Sequence, residues 1–447
     1  MTRWLCILAL LGLPLAGCGD DDEETSTETP TAETPEAPEA EAETETETEA
    51  PRPAQTAALP DALPNGLLLV YSQFDSGPNG PVPGAARMEI LTRSGGEWHV
   101  EAVEDPASNV FHKAFVYEPP GAAPGIVTLG GTAAAVKLWR RSGGEWSSET
   151  LWEAEFGGTR NRMRDAEVAD LYGDGRPAIA VGTHDMGVLS IIRPQEGGGF
   201  GVTELSRTPN TWIHEVEIGD LNGDGTLEVY ATPSEPNDLD GGEQSGQVVR
   251  YVPNGGGGPT VVADLGNRHA KEIWVGDVDG DGRDELYVAV EARTTGQGQN
   301  VQIAEPVEIR RYDHDTAPTE GVVIATIPDR LTRFLTVGDL DGDGKREMVA
   351  AAFSSGLWLL RPGRDPRAEW ATENIDRNSG GFEHASLVAD LDDDGQSELY
   401  VAADEQGELR RYVWVNGRPR REVIHSRENA RSRMTWNLMP VPRSLVE

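Results

Sequence analysis

Carboxylates two residues apart, set in glycine-containing turns, form the first pattern in this sequence that could do chemistry. Asp170-Leu-Tyr-Gly-Asp-Gly, Asp220-Leu-Asn-Gly-Asp-Gly, Asp277-Val-Asp-Gly-Asp-Gly, Asp339-Leu-Asp-Gly-Asp-Gly and Asp390-Leu-Asp-Asp-Asp-Gly recur at intervals of 50, 57, 62 and 51 residues. Four of these loops carry oxygen-bearing side chains at positions 1, 3, 5 and 9. They are Asp220, Asn222, Asp224 and Glu228; Asp277, Asp279, Asp281 and Glu285; Asp339, Asp341, Asp343 and Glu347; and Asp390, Asp392, Asp394 and Glu398. Hard oxygens crowded into one turn suit Ca2+, which accepts about six to eight of them flexibly. About four structural Ca2+ ions are therefore expected, with a main-chain carbonyl at position 7 completing each set. An EF-hand would place its closing Glu at position 12 between helices, whereas here it stands at position 9 between strand-like runs. The loop at Asp170 has Tyr172 at position 3 and Ala178 at position 9, too few carboxylates for the same assignment.

Six residues before the first Asp of each loop stands a second set: Arg164, His214, Lys271, Arg333 and His384. With Glu118 in the place of the Asp, the register adds His112, and a seventh repeat adds Met434. Six residues of strand span roughly 20 Å, so these side chains belong at the end opposite the metal loops. A cationic ring there would focus anions in an otherwise acidic protein. Trp212, Glu215, His269, Glu272, Phe382, Glu383 and Trp436 lie beside it in sequence and supply stacking surface and carboxylates. One reading makes this end a site for an anionic or sugar-like ligand, with Arg164, Lys271 and Arg333 on carboxylate or sulfate groups and the histidines hydrogen bonding. The other pairs the basic residues with Asp165, Glu215 and Glu272 as rim salt bridges. A catalytic variant makes His112, His214, His269 and His384 transition-metal ligands or acid/base groups. No Ser-His-Asp order, paired-carboxylate motif or phosphate loop is legible. A non-enzymatic binding or scaffold module for a protein or carbohydrate leads, and a sugar lyase, dehydratase or hydrolase is the alternative.

Short strands must position both sets. Ile273-Trp-Val-Gly precedes one acidic loop and Leu286-Tyr-Val-Ala-Val follows it, then come Val307-Glu-Ile-Arg-Arg-Tyr and Val322-Val-Ile-Ala-Thr-Ile. Together they read as four strands within a unit of about 50 residues. Arg93-Ser-Gly-Gly-Glu-Trp98 and Arg141-Ser-Gly-Gly-Glu-Trp146, 48 residues apart, carry the same period into the first third, with glycines suited to hairpin turns. Units starting near 111, 162, 212, 269, 331 and 382 are complete, whereas residues 66–104 offer three strands and the C-terminus one orphan, Met434-Thr-Trp-Asn-Leu-Met-Pro. The expected fold is all-β: a seven-bladed β-propeller with four-stranded blades, closed by N- and C-terminal strands that share one blade. The strand-period pattern excludes an α-solenoid. Degenerate first and second units leave six or eight blades open.

The acidic loops and their flanking strands resemble the FG-GAP/VCBS repeat family, whose calcium-loop propellers include the head of integrin α-subunits. The resemblance extends over about residues 160–415, and Phe-Gly and Gly-Ala-Pro signatures are mostly missing. It implies the propeller fold, calcium, and an innermost position for the strand that carries the basic residues. Members of the family serve adhesion, carbohydrate binding and, in some, catalysis, so function does not follow from the fold.

The ends bear on compartment. Arg3 precedes an apolar run that closes in Leu15-Ala16-Gly17-Cys18, too short to span a bilayer. These four residues resemble a bacterial lipobox, which implies a signal peptide over residues 1–17, a lipid on Cys18 and cleavage before it. Gly19, rather than Asp, after the lipidated Cys implies the outer membrane of a Gram-negative cell. Residues 18–60 read as a disordered tether, with fourteen acidic residues from Asp20 to Glu49 and few apolar side chains to offset ordering entropy. Residues 61–447 are the propeller. Cys6 and Cys18 are the two cysteines, so no disulfide forms within the mature chain. A net charge of −38 makes nucleic acid an unsuitable partner.

Overall fold

A computed structural model describes residues 58–77, 80–158, 160–235, 243–255, 258–296, 301–427 and 433–447. The expected signal peptide, Cys18 and all but the last residues of the expected tether lie outside them.

Seven four-stranded antiparallel blades form a ring. The second to seventh blades begin with Ser108–Tyr117, Met163–Ala169, Trp212–Gly219, Ala270–Gly276, Thr332–Gly338 and Ser386–Ala389, and each runs outward in chain order. The first blade has Arg433–Pro442 innermost, then Asn65–Gly77, Ala86–Ser94 and Glu97–Asp105. Arg433–Pro442 pairs along Asn65–Gln73, as the orphan strand requires, and touches the first strands of the second and seventh blades. Chain ends therefore meet inside one sheet. The ring closes without an unpaired edge between its first and last blades.

Packing between blades explains the hydrophobic pattern. Second strands such as Ala178–Thr183, Glu347–Ala352 and Glu398–Ala403 are buried at every residue, because neighbouring blades cover both faces. Their sequences are accordingly near-continuous apolar runs rather than alternating ones. One core cluster joins Phe115, Val127 and Leu129 of the second blade to Met163, Ala166 and Ile179 of the third. Close to the axis the first strands converge: a Cβ on Gly338 would lie 2.4 Å from Val388 Cγ1 of the next blade.

Six of the seven innermost strands share a defect. In the register with its partner, the strand of the third blade skips Arg164, since Asp165 faces Gly182 and Met163 faces Thr183. Lys271 and Arg333 are skipped in the same way, and two residues oppose one at His112-Lys113 and His214-Glu215. In the first blade the skipped residue is Trp436, so Trp436 rather than Met434 occupies the seventh register position. Each is a β-bulge, which breaks the in-out alternation and re-aims a side chain. Successive residues such as Arg164 and Asp165 can thereby both face the axis.

Candidate functional site

The acidic loops come first in the chain's own logic, because each follows directly from an innermost strand. Asp277 Oδ1 accepts hydrogen bonds from the Gly280 and Asp281 amides and its Oδ2 from the Gly282 amide, at 2.6–3.1 Å. The first Asp thus folds its own loop as a side-chain-stabilised turn. Gly280 and Gly282 take φ of 78° and 87°, and where the seventh blade substitutes Asp393 for the first of these glycines, that residue adopts φ 58°. Asp is one of the few residues that tolerate this region.

Three loops bring their acids together: Asp277, Asp279, Asp281 and Glu285; Asp339, Asp341 and Glu347; Asp390, Asp392 and Asp394 each offer ligand atoms within 4.8 Å of one another. Asp341 Oδ1 and Asp392 Oδ1 are buried without a hydrogen-bond partner, an arrangement that a hard cation relieves. Asp343 and Glu398 stand outside those converging sets. In the fourth blade Asp220, Asp224 and Glu228 do not converge in this way. There Asn222 Nδ2 donates to Glu228 Oε1 at 2.7 Å, and Tyr230 donates to Oε2 at 2.5 Å. In the Asp170 loop, Asp174 is taken by Arg176 and Arg193. Burial pushes Glu285 and Glu347 up to about 7.

At the far end of the innermost strands the bulged residues meet around a cavity of about 150 Å³, lined among others by His112, Arg164, Lys271, Arg333, Glu383 and Trp436. The three cations come from the third, fifth and sixth blades. All point at one carboxylate of the seventh: Lys271 Nζ lies 2.8 Å from Glu383 Oε1, Arg333 Nη1 3.1 Å from the same oxygen, and Arg164 Nη2 3.6 Å from Oε2. Arg333 also faces Glu291 at 3.4 Å. Burial would raise the Glu383 carboxyl, yet Lys271, Arg333 and Arg164 hold it down to about 2. Glu383 reaches them because His384 adopts a left-handed φ of 58°, so that the seventh innermost strand starts late, at Ser386.

Deeper in the channel lies a layer of carboxylates, Asp165, Glu167, Glu215, Glu217 and Glu272, facing Lys113. Lys113 pairs with Asp165 at 3.0 Å and with Glu167. Burial raises the Glu215 and Glu217 carboxyls well above their ordinary range and Glu272 to about 8.

The histidines divide. His384 is saturated: Nδ1 donates to Ala352 O and Nε2 meets Ser379 Oγ, both at 2.7 Å. It takes no part in the cavity wall. His112, His214 and His269 instead form a row with His184, ring centroids 5.1–5.7 Å apart. His112 Nδ1 binds Met163 O at 2.7 Å, and both ring nitrogens of His184, His214 and His269 lack hydrogen-bond partners. Burial drives all four below the ordinary histidine range, His269 to about 3, so the rings are neutral. No three imidazoles present nitrogens within 4.8 Å of one another among the described residues. Trp212 stacks on His184 at 4.6 Å, and Trp436 meets His112 edge-on at 4.6 Å and Arg164 at 5.3 Å. His184 closes a second strand rather than an innermost one, so a register counted from the acidic loops passes over it.

A model of the FG-GAP-like repeat matches residues 170–231 and 339–401. The chain carries FG-GAP-like repeats. Both FG-GAP stretches contain acidic loops of the pattern described, and they fall in the third, fourth, sixth and seventh blades. No curated protein matches the sequence. Among solved structures, the periplasmic gluconolactonase PpgL of Pseudomonas aeruginosa is similar at 13% identity and a TM-score of 0.47, over 84% of this chain and 99% of that one.

Proposed function

We propose that this protein is a lipid-anchored, calcium-braced propeller of the cell envelope that binds a carbohydrate or protein ligand, without turning it over, at the channel end opposite its acidic loops. The observation that carries this reading is a concentration of buried polar nitrogens without hydrogen-bond partners. Arg333 Nη2, Arg164 Nε and the ring nitrogens of His184, His214 and His269 lack hydrogen-bond partners, beside the faces of Trp212 and Trp436. Buried polar groups are nearly always bonded, and each one left bare costs about 1–3 kcal/mol, so a ligand rich in hydroxyl or carboxylate oxygens gains by meeting them. Aromatic faces with a few convergent polar groups are the usual make-up of such sites.

Lys271, Arg333 and Arg164 share the charge of Glu383, and the anion-binding role falls to the donors they keep free. Calcium would sit in the acidic loops, about four ions if the Asp220 set, whose acids do not converge, fills together with the other three. Its role there is to brace the turns that lead into the buried second strands. Lipidation at Cys18 and sorting to the outer membrane complete the proposal; they rest on Leu15-Ala16-Gly17-Cys18 and Gly19.

The test is calorimetric titration with uronic-acid oligosaccharides and neutral counterparts of the same length, on the purified protein and on Trp436→Ala and His214→Ala. Saturable binding that both variants weaken about tenfold or more is the expected result. Binding unaffected by both variants would place the ligand elsewhere, and accumulation of a cleaved or unsaturated sugar would make the protein an enzyme.

A further inference from the structure

Each acidic loop is met by an arginine from the third strand of its own blade. Arg193 Nη2 lies 2.5 Å from Asp174 Oδ2, Arg250 Nη1 3.0 Å from Glu228 Oε1, and Arg361 Nη2 3.5 Å from Asp341 Oδ2. Arg311 spans 2.8 Å to Asp279 Oδ2 and 3.3 Å to Glu285 Oε1, and Arg411 Nη2 lies 2.5 Å from Glu398 Oε1. In three blades the construction is the same in detail. Arg250, Arg311 and Arg411 stand directly opposite Tyr230, Tyr287 and Tyr400, and each of these tyrosines donates to the closing Glu two residues before it. The closing carboxylate is thereby held by a phenol on one oxygen and a guanidinium on the other. Arg311 and Arg411 are almost fully buried.

We infer that these arginines are built-in counter-cations, which hold the loops folded without an ion and weaken the ions that bind. The inference rests on the proposal that the loops bind Ca2+. A guanidinium on the carboxylates removes charge that would otherwise attract a dication, and in a partly buried site that repulsion is little screened. Ligand charge sets the affinity of oxygen-cage calcium sites across several orders of magnitude. The third blade shows the limit of the series: its loop has Tyr172 at position 3 and Ala178 at position 9, and two arginines, Arg176 and Arg193, sit on Asp174, one of its two acids. Loops of this kind suit a compartment where calcium is plentiful, with sites that fill near the upper end of the physiological range.

Calorimetric titration of the purified whole chain with Ca2+ tests this, alongside Arg311→Gln and Arg361→Gln. Arg310→Gln is the control, because Arg310 pairs with Glu308 on the other face of the same strand. Each test variant should bind calcium about tenfold more tightly at one site. Its thermal midpoint should fall in chelator and recover when calcium is added, whereas the control leaves the affinity unchanged. Arg361→Gln, which breaks two half-exposed contacts, with Asp341 at 3.5 Å and Glu373 at 3.3 Å, keeps the test alive if Arg311→Gln does not fold. Weaker or unchanged calcium binding in both would overturn the inference and make the arginines positioning residues or bystanders. Absence of calcium binding by the unaltered chain, even at millimolar concentration, would instead remove the calcium proposal on which it stands.

Discussion

Glu383 shows how much one side chain can decide. Three cations from three other blades rely on its carboxylate, all four groups being almost fully buried. Removing one partner of a buried ion cluster leaves the others uncompensated, at about 3–5 kcal/mol. Glu383→Gln should therefore lower the thermal midpoint by roughly 4–6 °C, measurable by calorimetry, whereas a loss below one degree would show that water reaches the cluster. Acid should act on the same group. Its folded pKa, about 2, lies below the ordinary carboxylate value, so its stabilisation is complete above that value and is lost as pH falls toward 2. Glu272 behaves in the opposite sense. Burial raises it to about 8, so the folded state keeps a proton that the unfolded state releases, and stability is lost as pH rises from the ordinary carboxylate value to 8. Glu272→Gln should stabilise the protein at pH 8 by up to about 4–5 kcal/mol and much less at pH 5; equal effects at both would mean that the carboxyl is ionised throughout.

At the scale of the element, the bulge is the feature that makes the channel. A strict two-residue alternation would send Arg164 and Asp165 to opposite faces of the sheet, and the wall would carry one of them. Deleting Arg164 should restore a regular ladder, with Met163 still opposite Thr183 and Asp165 still opposite Gly182, and should cost no more stability than Arg164→Ala. Urea denaturation of the two variants compares them directly. The closing strand is tied to the seventh blade: Asp404 accepts from the Thr435 amide at 2.7 Å and from its hydroxyl at 2.6 Å. Truncation after residue 432 should abolish cooperative unfolding, because the first blade would lose its innermost strand and the ring its closure. A sharp melting transition in the truncated chain would show that three strands suffice there.

The whole molecule divides along its axis: carboxylate-rich loops at one end, neutral imidazoles and shared cations at the other. Chelation should test the first end as a unit. If ions brace the loops, removal of calcium from the purified protein should lower the midpoint by several degrees, since a ligand at about a hundred times its dissociation constant adds about 2.7 kcal/mol per site. The arginines that meet each loop make the expected fall smaller than for bare carboxylate clusters, and metal analysis after gel filtration would count the ions retained.

Much of this architecture is legible in the sequence. Period, strand number, the placing of the acidic loops and the exchange of strands between the chain ends all follow from local patterns: alternating apolar residues, glycine turns, and one orphan strand that needs a sheet. The basic register was visible as well, because the bulge falls at the same distance from the loop in blade after blade. Partnership was not. That Arg164, Lys271 and Arg333 converge on Glu383, that His184 joins the imidazole row while His384 turns away, and that Trp436 takes the seventh position depend on closing a ring. Closure brings residues 50 to 219 positions apart, from Arg333 and Arg164 to Glu383, to one axis. A one-dimensional repeat shows which residues are equivalent; which of them touch is decided only when the sheets curve round and the bulges aim their side chains inward.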